Sequence, residues 1–119
     1  MVDKLDIRGY TVVMNIDQAA NCMDALGIPV RLRIYKMLVE AGSKGLSVGQ
    51  IQEKTETPRS TVSHHIHRLM QADLVTQERI GTTLICRAKY NVMDNLLAFL
   101  EEDCCAADRT NQLTKAHNR

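Results

Sequence analysis

Apolar residues Ile16, Ala19, Ala20, Met23 and Leu26 recur at three- and four-residue spacing, which predicts a helix from about 16 to 26. Asn15 with Gln18 three residues on has the spacing of a capping box, and Gly27 stops the pattern. Pro29 suits the first turn of a second helix, whose Val30, Ile34, Met37 and Leu38 fall on one face. Ala41-Gly42-Ser43-Lys44-Gly45 then reads as a loop. Ser47 with Gln50 repeats the capping-box spacing and opens a short third helix with Val48 and Ile51 inward. Thr57 and Pro58 are expected as N-cap and first residue of a fourth helix carrying the narrow stripe Val62, Ile66 and Leu69. Two short helices joined by a few residues make a helix-turn-helix unit.

The period then changes. Leu74-Val75-Thr76-Gln77-Glu78 and Thr83-Leu84-Ile85-Cys86-Arg87 are strand-like around a turn at Gly81. A two-stranded ribbon directly after a helix-turn-helix predicts a winged helix, mostly α with a small β-wing. Asn91 with Asp94 is expected to cap a last helix bearing Val92, Leu96, Phe99 and Leu100, with Met93 and Leu97 alongside. That stripe is wider than one wing and three short helices can cover, which predicts a homodimer held through the first and last helices. The expected organisation is an N-terminal arm over 1–14, one winged domain over 15–105, and a polar tail over 106–119.

Composition narrows the classes. At 119 residues there is room for one core, and no apolar run approaches the ~18 residues of a membrane span. The start, Met1-Val2-Asp3-Lys4-Leu5-Asp6, lacks the basic-then-apolar layout of a secretory signal, so a cytoplasmic protein is expected. There the four cysteines would be reduced thiols or ligands. The net charge of +1 announces no nucleic-acid partner, so any such partner depends on where the charges sit. Three Tyr, one Phe and no Trp supply few stacking platforms, which argues against RNA or single strands.

The placement of charge is informative. From Thr57 to Ala72 there is no Asp or Glu, while Arg59, His64, His65, His67 and Arg68 lie within it. With Val62, Ile66 and Leu69 inward, helical geometry sends Ser60, Thr61, His64, His67 and Arg68 outward and leaves Arg59, Ser63 and His65 on the flanks. Small hydroxyls admit close approach to a groove, and Arg and His supply donors to phosphates and base edges. Arg79, Arg87 and Lys89 add positive charge on the wing, partly offset by Glu78. The expected partner is double-stranded DNA. Metal binding by the three histidines would bury this surface, and no carboxylate or Cys stands near them in sequence.

With these residues in view, Ala25-Leu26-Gly27-Ile28-Pro29-Val30-Arg31-Leu32-Arg33-Ile34 resembles the opening of the ArsR/SmtB family of winged-helix repressors. Thr61-Val62-Ser63-His64-His65-Ile66 is similar to that family's recognition-helix motif, and Leu74-Val75 through Arg87 to its wing. The likeness covers roughly residues 22 to 100. It implies a homodimer that binds an operator and releases it when an inducer binds. Three kinds of sensing site recur in the family. A Cys-x-Cys in the third helix is absent, because the matching stretch reads Leu46-Ser47-Val48-Gly49-Gln50. A zinc site on the last helix is also absent: Asp94, Glu101 and Glu102 remain, but no His lies between Asn91 and Asp108.

The third kind gathers thiolates around arsenic. Cys104-Cys105 is a vicinal pair at the end of the last helix, and Cys86 lies on the second wing strand. Trivalent arsenic is a soft centre that bonds two or three thiolates, which suits arsenite, antimonite or an organoarsenite as inducer. Cys104 lies roughly 20 Å along the last helix at ~1.5 Å per residue, so Cys86 of one subunit is expected to join Cys104 and Cys105 of the other. Cys22 is expected simply to pack, and no structural cofactor is expected. The same thiols also suit a redox or persulfide sensor of this fold. An enzyme is not expected, since no Cys-x-x-C, phosphate-cradling Gly loop or base accompanies the pair.

Overall fold

The computed structural model describes residues 4–5, 11–104 and 107. Cys105, most of the 1–14 arm and the 106–119 tail apart from Ala107 lie outside the described residues. In chain order the elements are β1 (Lys4–Leu5), β2 (Thr11–Val12), α1 (Ile16–Leu26), α2 (Pro29–Ala41), a 3₁₀ turn (Gly42–Lys44), β3 (Leu46–Ser47), α3 (Val48–Thr55), α4 (Arg59–Gln71), β4 (Val75–Ile80), β5 (Thr83–Ala88) and α5 (Tyr90–Glu101). This is the winged helix-turn-helix that the hydrophobic pattern predicts.

Both capping boxes form. The Asn15 side chain accepts from the Gln18 amide at 2.8 Å while Gln18 Oε1 accepts from the Asn15 amide at 2.9 Å, and Ser47 and Gln50 reciprocate in the same way. α2 starts at Pro29 as expected, and the remaining two helix starts shift. Pro58, extended at ψ 147, is the N-cap of α4 and Arg59 its first residue. Thr57 does not cap; its hydroxyl donates back to the Thr55 carbonyl at 3.1 Å. The last helix begins at Tyr90 with Lys89 as N-cap, two residues before the expected Asn91 cap, and no side chain caps it.

The wing is not a simple ribbon. β4 and β5 pair from Val75↔Ala88 to Ile80↔Thr83 around the turn Gly81-Thr82, and β3 adds a third strand through Leu46↔Cys86 and Ser47↔Ile85, giving the order β3-β5-β4. A two-residue strand is too short to show alternation, and its partner lies far along the chain, so periodicity could not reveal it. β1 and β2 likewise pair, Lys4↔Val12 and Leu5↔Thr11, in a segment where the sequence shows no pattern.

One core joins all the helices to the sheet. Ile34, Leu38, Ile51, Val62, Leu69 and Leu74 are fully enclosed in it, and truncating such a side chain to Ala typically costs ~2–5 kcal/mol. α5 corrects the expected dimer stripe. Val92 and Leu96 are buried against the chain's own core, and Phe99 packs partly on it. The apolar side chains that α5 leaves outward are Leu97 and Leu100, and α1 leaves Ile16 and Met23 outward.

Candidate nucleic-acid interface

α3 and α4 form the helix-turn-helix. Between them Glu56 adopts the left-handed region at φ 53, and Thr57 and Pro58 complete the turn. Val62, Ile66 and Leu69 anchor α4 inward, so its first three turns carry Arg59, Ser60, Thr61, Ser63, His64 and His67 on the exposed side. No carboxylate belongs to this helix, and its N-terminal amides form a positive end that suits an anion. Small hydroxyls beside Arg and His donors form a surface suited to phosphate oxygens and base edges.

Two expected members of that surface stand elsewhere. His65 is buried at 8% exposure, three residues from Val62 on the core side of α4. Its Nδ1 accepts from Arg31 Nε at 3.3 Å, and Arg31, itself 5% exposed, also donates through Nη1 to the Ala25 carbonyl at 3.2 Å. The guanidinium thus satisfies one of the last carbonyls of α1 while resting on a neutral imidazole. Burial, then the Arg31 charge, then His64 hold the His65 pKa below its ordinary value. Arg68 turns back onto α1, where its Nη2 donates to Asn21 Oδ1 at 2.9 Å and to Asp24 Oδ2 at 2.6 Å. A stripe three residues wide in the sequence pattern is four wide in the fold, and this extra width draws His65 inward. Asp24 on α1 supplies the negative charge that draws Arg68 off the exposed polar face.

On the wing, Arg79 is exposed near the β4–β5 turn. Arg87 is engaged within the chain: Nε donates to the Ser43 carbonyl at 2.7 Å, and Nη1 pairs with Glu78 at 2.7 Å. Arg87 therefore ties the sheet to the turn after α2, and Arg79 is the wing cation left facing outward.

The cysteines separate equally clearly. Cys86 is 0% exposed on β5, and Gln77 Nε2 donates to its Sγ at 3.6 Å. Burial pushes the Cys86 thiol up, against the lowering effect of that bond. A partner's thiol cannot reach Cys86 while it stays wholly enclosed in the core, which takes it out of the expected inter-subunit trio. Cys22 packs as expected, 1% exposed on α1. Burial raises its pKa first and the Asp73 charge adds to this, with Arg68 opposing. Cys104 is partly exposed just beyond α5, and its amide donates to the Glu101 carbonyl at 2.9 Å. Among the described residues no group of three or more His, Cys, Asp or Glu side chains could hold a metal ion. No described helix is long and apolar enough to cross a membrane.

Comparison with known proteins places this geometry. Residues 26–78, which span α2 to the middle of β4, match the model of the helix-turn-helix domain. An uncharacterised HTH-type transcriptional regulator of Methanocaldococcus jannaschii, MJ1325, is 38% identical over 66 residues, covering 56% of this chain and 72% of that protein. An ArsR-like transcriptional regulator from Rhodococcus sp. RHA1 superposes with a TM-score of 0.68 at 21% identity, over 84% of this chain and 92% of that one. The homodimeric winged helix-turn-helix DNA-binding domain of Mb0332 from Mycobacterium bovis superposes with a TM-score of 0.61 at 22% identity, over 87% and 88%. An acid-free, hydroxyl-rich α4 beside a wing that turns Arg79 outward, on a chain 38% identical to an HTH-type regulator, makes this protein a member of the helix-turn-helix transcriptional regulators, with the winged-helix fold of the ArsR type.

Proposed function

We propose that the chain acts as a homodimeric repressor that holds double-stranded operator DNA through α4 and the wing and releases it on capturing a trivalent arsenical. The observation that carries the DNA reading is the exposed face of α4, where Arg59, Ser60, Thr61, Ser63, His64 and His67 stand together without a carboxylate. Dimerisation is supported by the outward Ile16, Met23, Leu97 and Leu100 on α1 and α5, and by the homodimeric state of the similar Mycobacterium bovis domain. A two-fold axis between those helices would present two α4 helices to successive major grooves ~34 Å apart.

The inducer reading rests on Cys104 and its neighbour Cys105. With Cys86 enclosed, two thiols are left for the ligand, which favours an organoarsenite over inorganic arsenite. Its carbon already fills one valence, and two thiols displace two hydroxides from arsenic as water, with no change of oxidation state. Capture next to the outward face of α5 would shift one subunit against the other and move the recognition helices off their spacing. Fluorescence anisotropy with DNA from upstream of the protein's own gene tests both halves. Saturable binding reversed by phenylarsine oxide, with Cys104→Ser binding DNA normally but ignoring the arsenical, is expected. Release by peroxide or persulfide but not by the arsenical would replace this inducer with a redox signal.

A further inference from the structure

A cavity of about 310 Å³ opens where α1, the end of α4 and the start of α5 converge. Among its lining residues are Asn21, Cys22, Gln71, Asp73, Asn91 and Asn95. The cavity faces away from the outward apolar stripes. At about 3.6 residues per turn, Asn91 and Asn95 stand on the opposite side of α5 from Leu97 and Leu100, and Asn21 and Cys22 far round α1 from Ile16 and Met23. A dimer formed through those stripes therefore leaves the cavity open.

The lining has a definite chemistry. Gln71, Asn91 and Asn95 present three carboxamides whose side chains hydrogen-bond to no other described residue. Each carries donors and an acceptor side by side. The one charged group, Asp73, is already paired with Lys89 Nζ at 2.9 Å. No aromatic ring is among the lining residues. Such a wall offers nothing to stack a nucleobase and no spare charge for an amino acid or phosphate. With Val13, Met14 and Val92 completing the wall, it matches molecules that carry several hydroxyls, each donating and accepting in turn, beside a C–H face.

The cavity also touches the recognition helix. Asn21 Oδ1 accepts from Arg68 on α4, Asn21 Nδ2 donates to the Gln71 carbonyl at 3.5 Å, and Cys22 Sγ lies 3.6 Å from the Ala72 carbonyl. Asn21 and Cys22 therefore both line the cavity and fasten the C-terminal end of α4 to α1. We propose that this cavity is an effector site for a small neutral polyol or monosaccharide, and that its occupancy is coupled to DNA binding by α4. Binding recruits the amides of Gln71, Asn91 and Asn95, competes for Asn21, and changes how α4 is held. The coupling rests on the operator reading above; binding to the cavity does not.

The test titrates the full-length, isotope-labelled protein, without DNA, with glycerol, D-ribose, D-glucose and myo-inositol while side-chain amide resonances are followed. At least one of them is expected to give saturable shifts at Asn91, Asn95 and Gln71. The pair change Asn91→Ala with Asn95→Ala, at an exposed and a half-buried position, should weaken that binding roughly tenfold or more while leaving the fold intact. Anisotropy on operator DNA should then change affinity by about fivefold or more at saturation. No saturable shift with any of the four, or shifts unchanged in the double variant, overturns the site. A response to a nucleoside or an amino acid instead overturns the ligand class. Saturable shifts in a protein that binds no DNA overturn the operator reading and keep the site, and unchanged DNA affinity at saturation overturns the coupling.

Discussion

His65 shows how a single ring, next to two exposed histidines in sequence, acquires a structural role. Its Nδ1 must stay unprotonated to accept from Arg31, and protonation would set a second positive charge 3.3 Å from a buried guanidinium. The folded pKa lies below the ordinary 6.5, so the unfolded chain takes up the proton first as pH falls. The contribution to stability is therefore complete above about pH 6.5 and is lost as pH drops through the lowered folded value. Thermal unfolding of the wild type at several pH values between about 7.5 and 5 should show Tm falling across this window. In His65→Gln, whose carboxamide oxygen can still accept from Arg31, the fall should be shallower. Parallel curves for the two proteins would mean that another group governs the acid limb.

At the scale of the element, α4 divides its residues between an exposed polar face, proposed to meet DNA, and the fold. Ser63→Ala or His64→Ala should weaken operator binding by ~1–3 kcal/mol and leave random DNA nearly unaffected, because base-edge contacts carry sequence preference. Arg79→Ala should weaken both DNAs alike and reduce the salt slope by about one, as expected of a phosphate contact. Equal losses on operator and random DNA from the α4 substitutions would show that α4 does not read sequence. The β3–β5 junction sets a different constraint. Gly45 has φ +66, and a Cβ there would stand 2.4 Å from the Cys86 carbonyl oxygen, in a backbone fixed by the Leu46↔Cys86 pairing. Gly45→Ala should therefore lose more than the ~1–3 kcal/mol of backbone strain alone. Gly81→Ala, at φ +64 with open space around it, should lose only the strain. Urea unfolding of the two variants compares them directly, and equal midpoints would exclude a steric role for Gly45.

For the whole molecule the decisive feature is which side of α5 meets the core. Leu96 is 5% exposed and Leu97 43% exposed, though they are adjacent in sequence. Leu96→Arg would bury an unpaired charge inside the chain and should unfold it. Leu97→Arg would place a charge on the outward face and should give a folded monomer with weakened operator binding. Sedimentation together with far-ultraviolet circular dichroism separates the two outcomes. A Leu97→Arg protein with the wild-type sedimentation coefficient would move the subunit contact away from α5.

The hydrophobic period, the two capping boxes and the Gly/Pro punctuation were enough to read α1 to α5, the helix-turn-helix and the β4–β5 wing, because those signals are local. The acid-free stretch 57–72 was also legible, and it falls on α4, whose exposed face carries the proposed DNA contact. What the sequence could not decide were choices between side chains on the margins of a stripe. A period fixes the centre of a helix's buried face, but its width depends on what packs opposite. Arg31 on α2 draws His65 inward, and Asp24 on α1 draws Arg68 sideways. The same holds for Cys86, which looks available on a wing strand until its face of the sheet packs on the core. Helix starts and turns are set by neighbours in sequence. Burial at an edge, the pairing of a charge and the accessibility of a thiol are set by neighbours in space, and those exist only once the chain has folded.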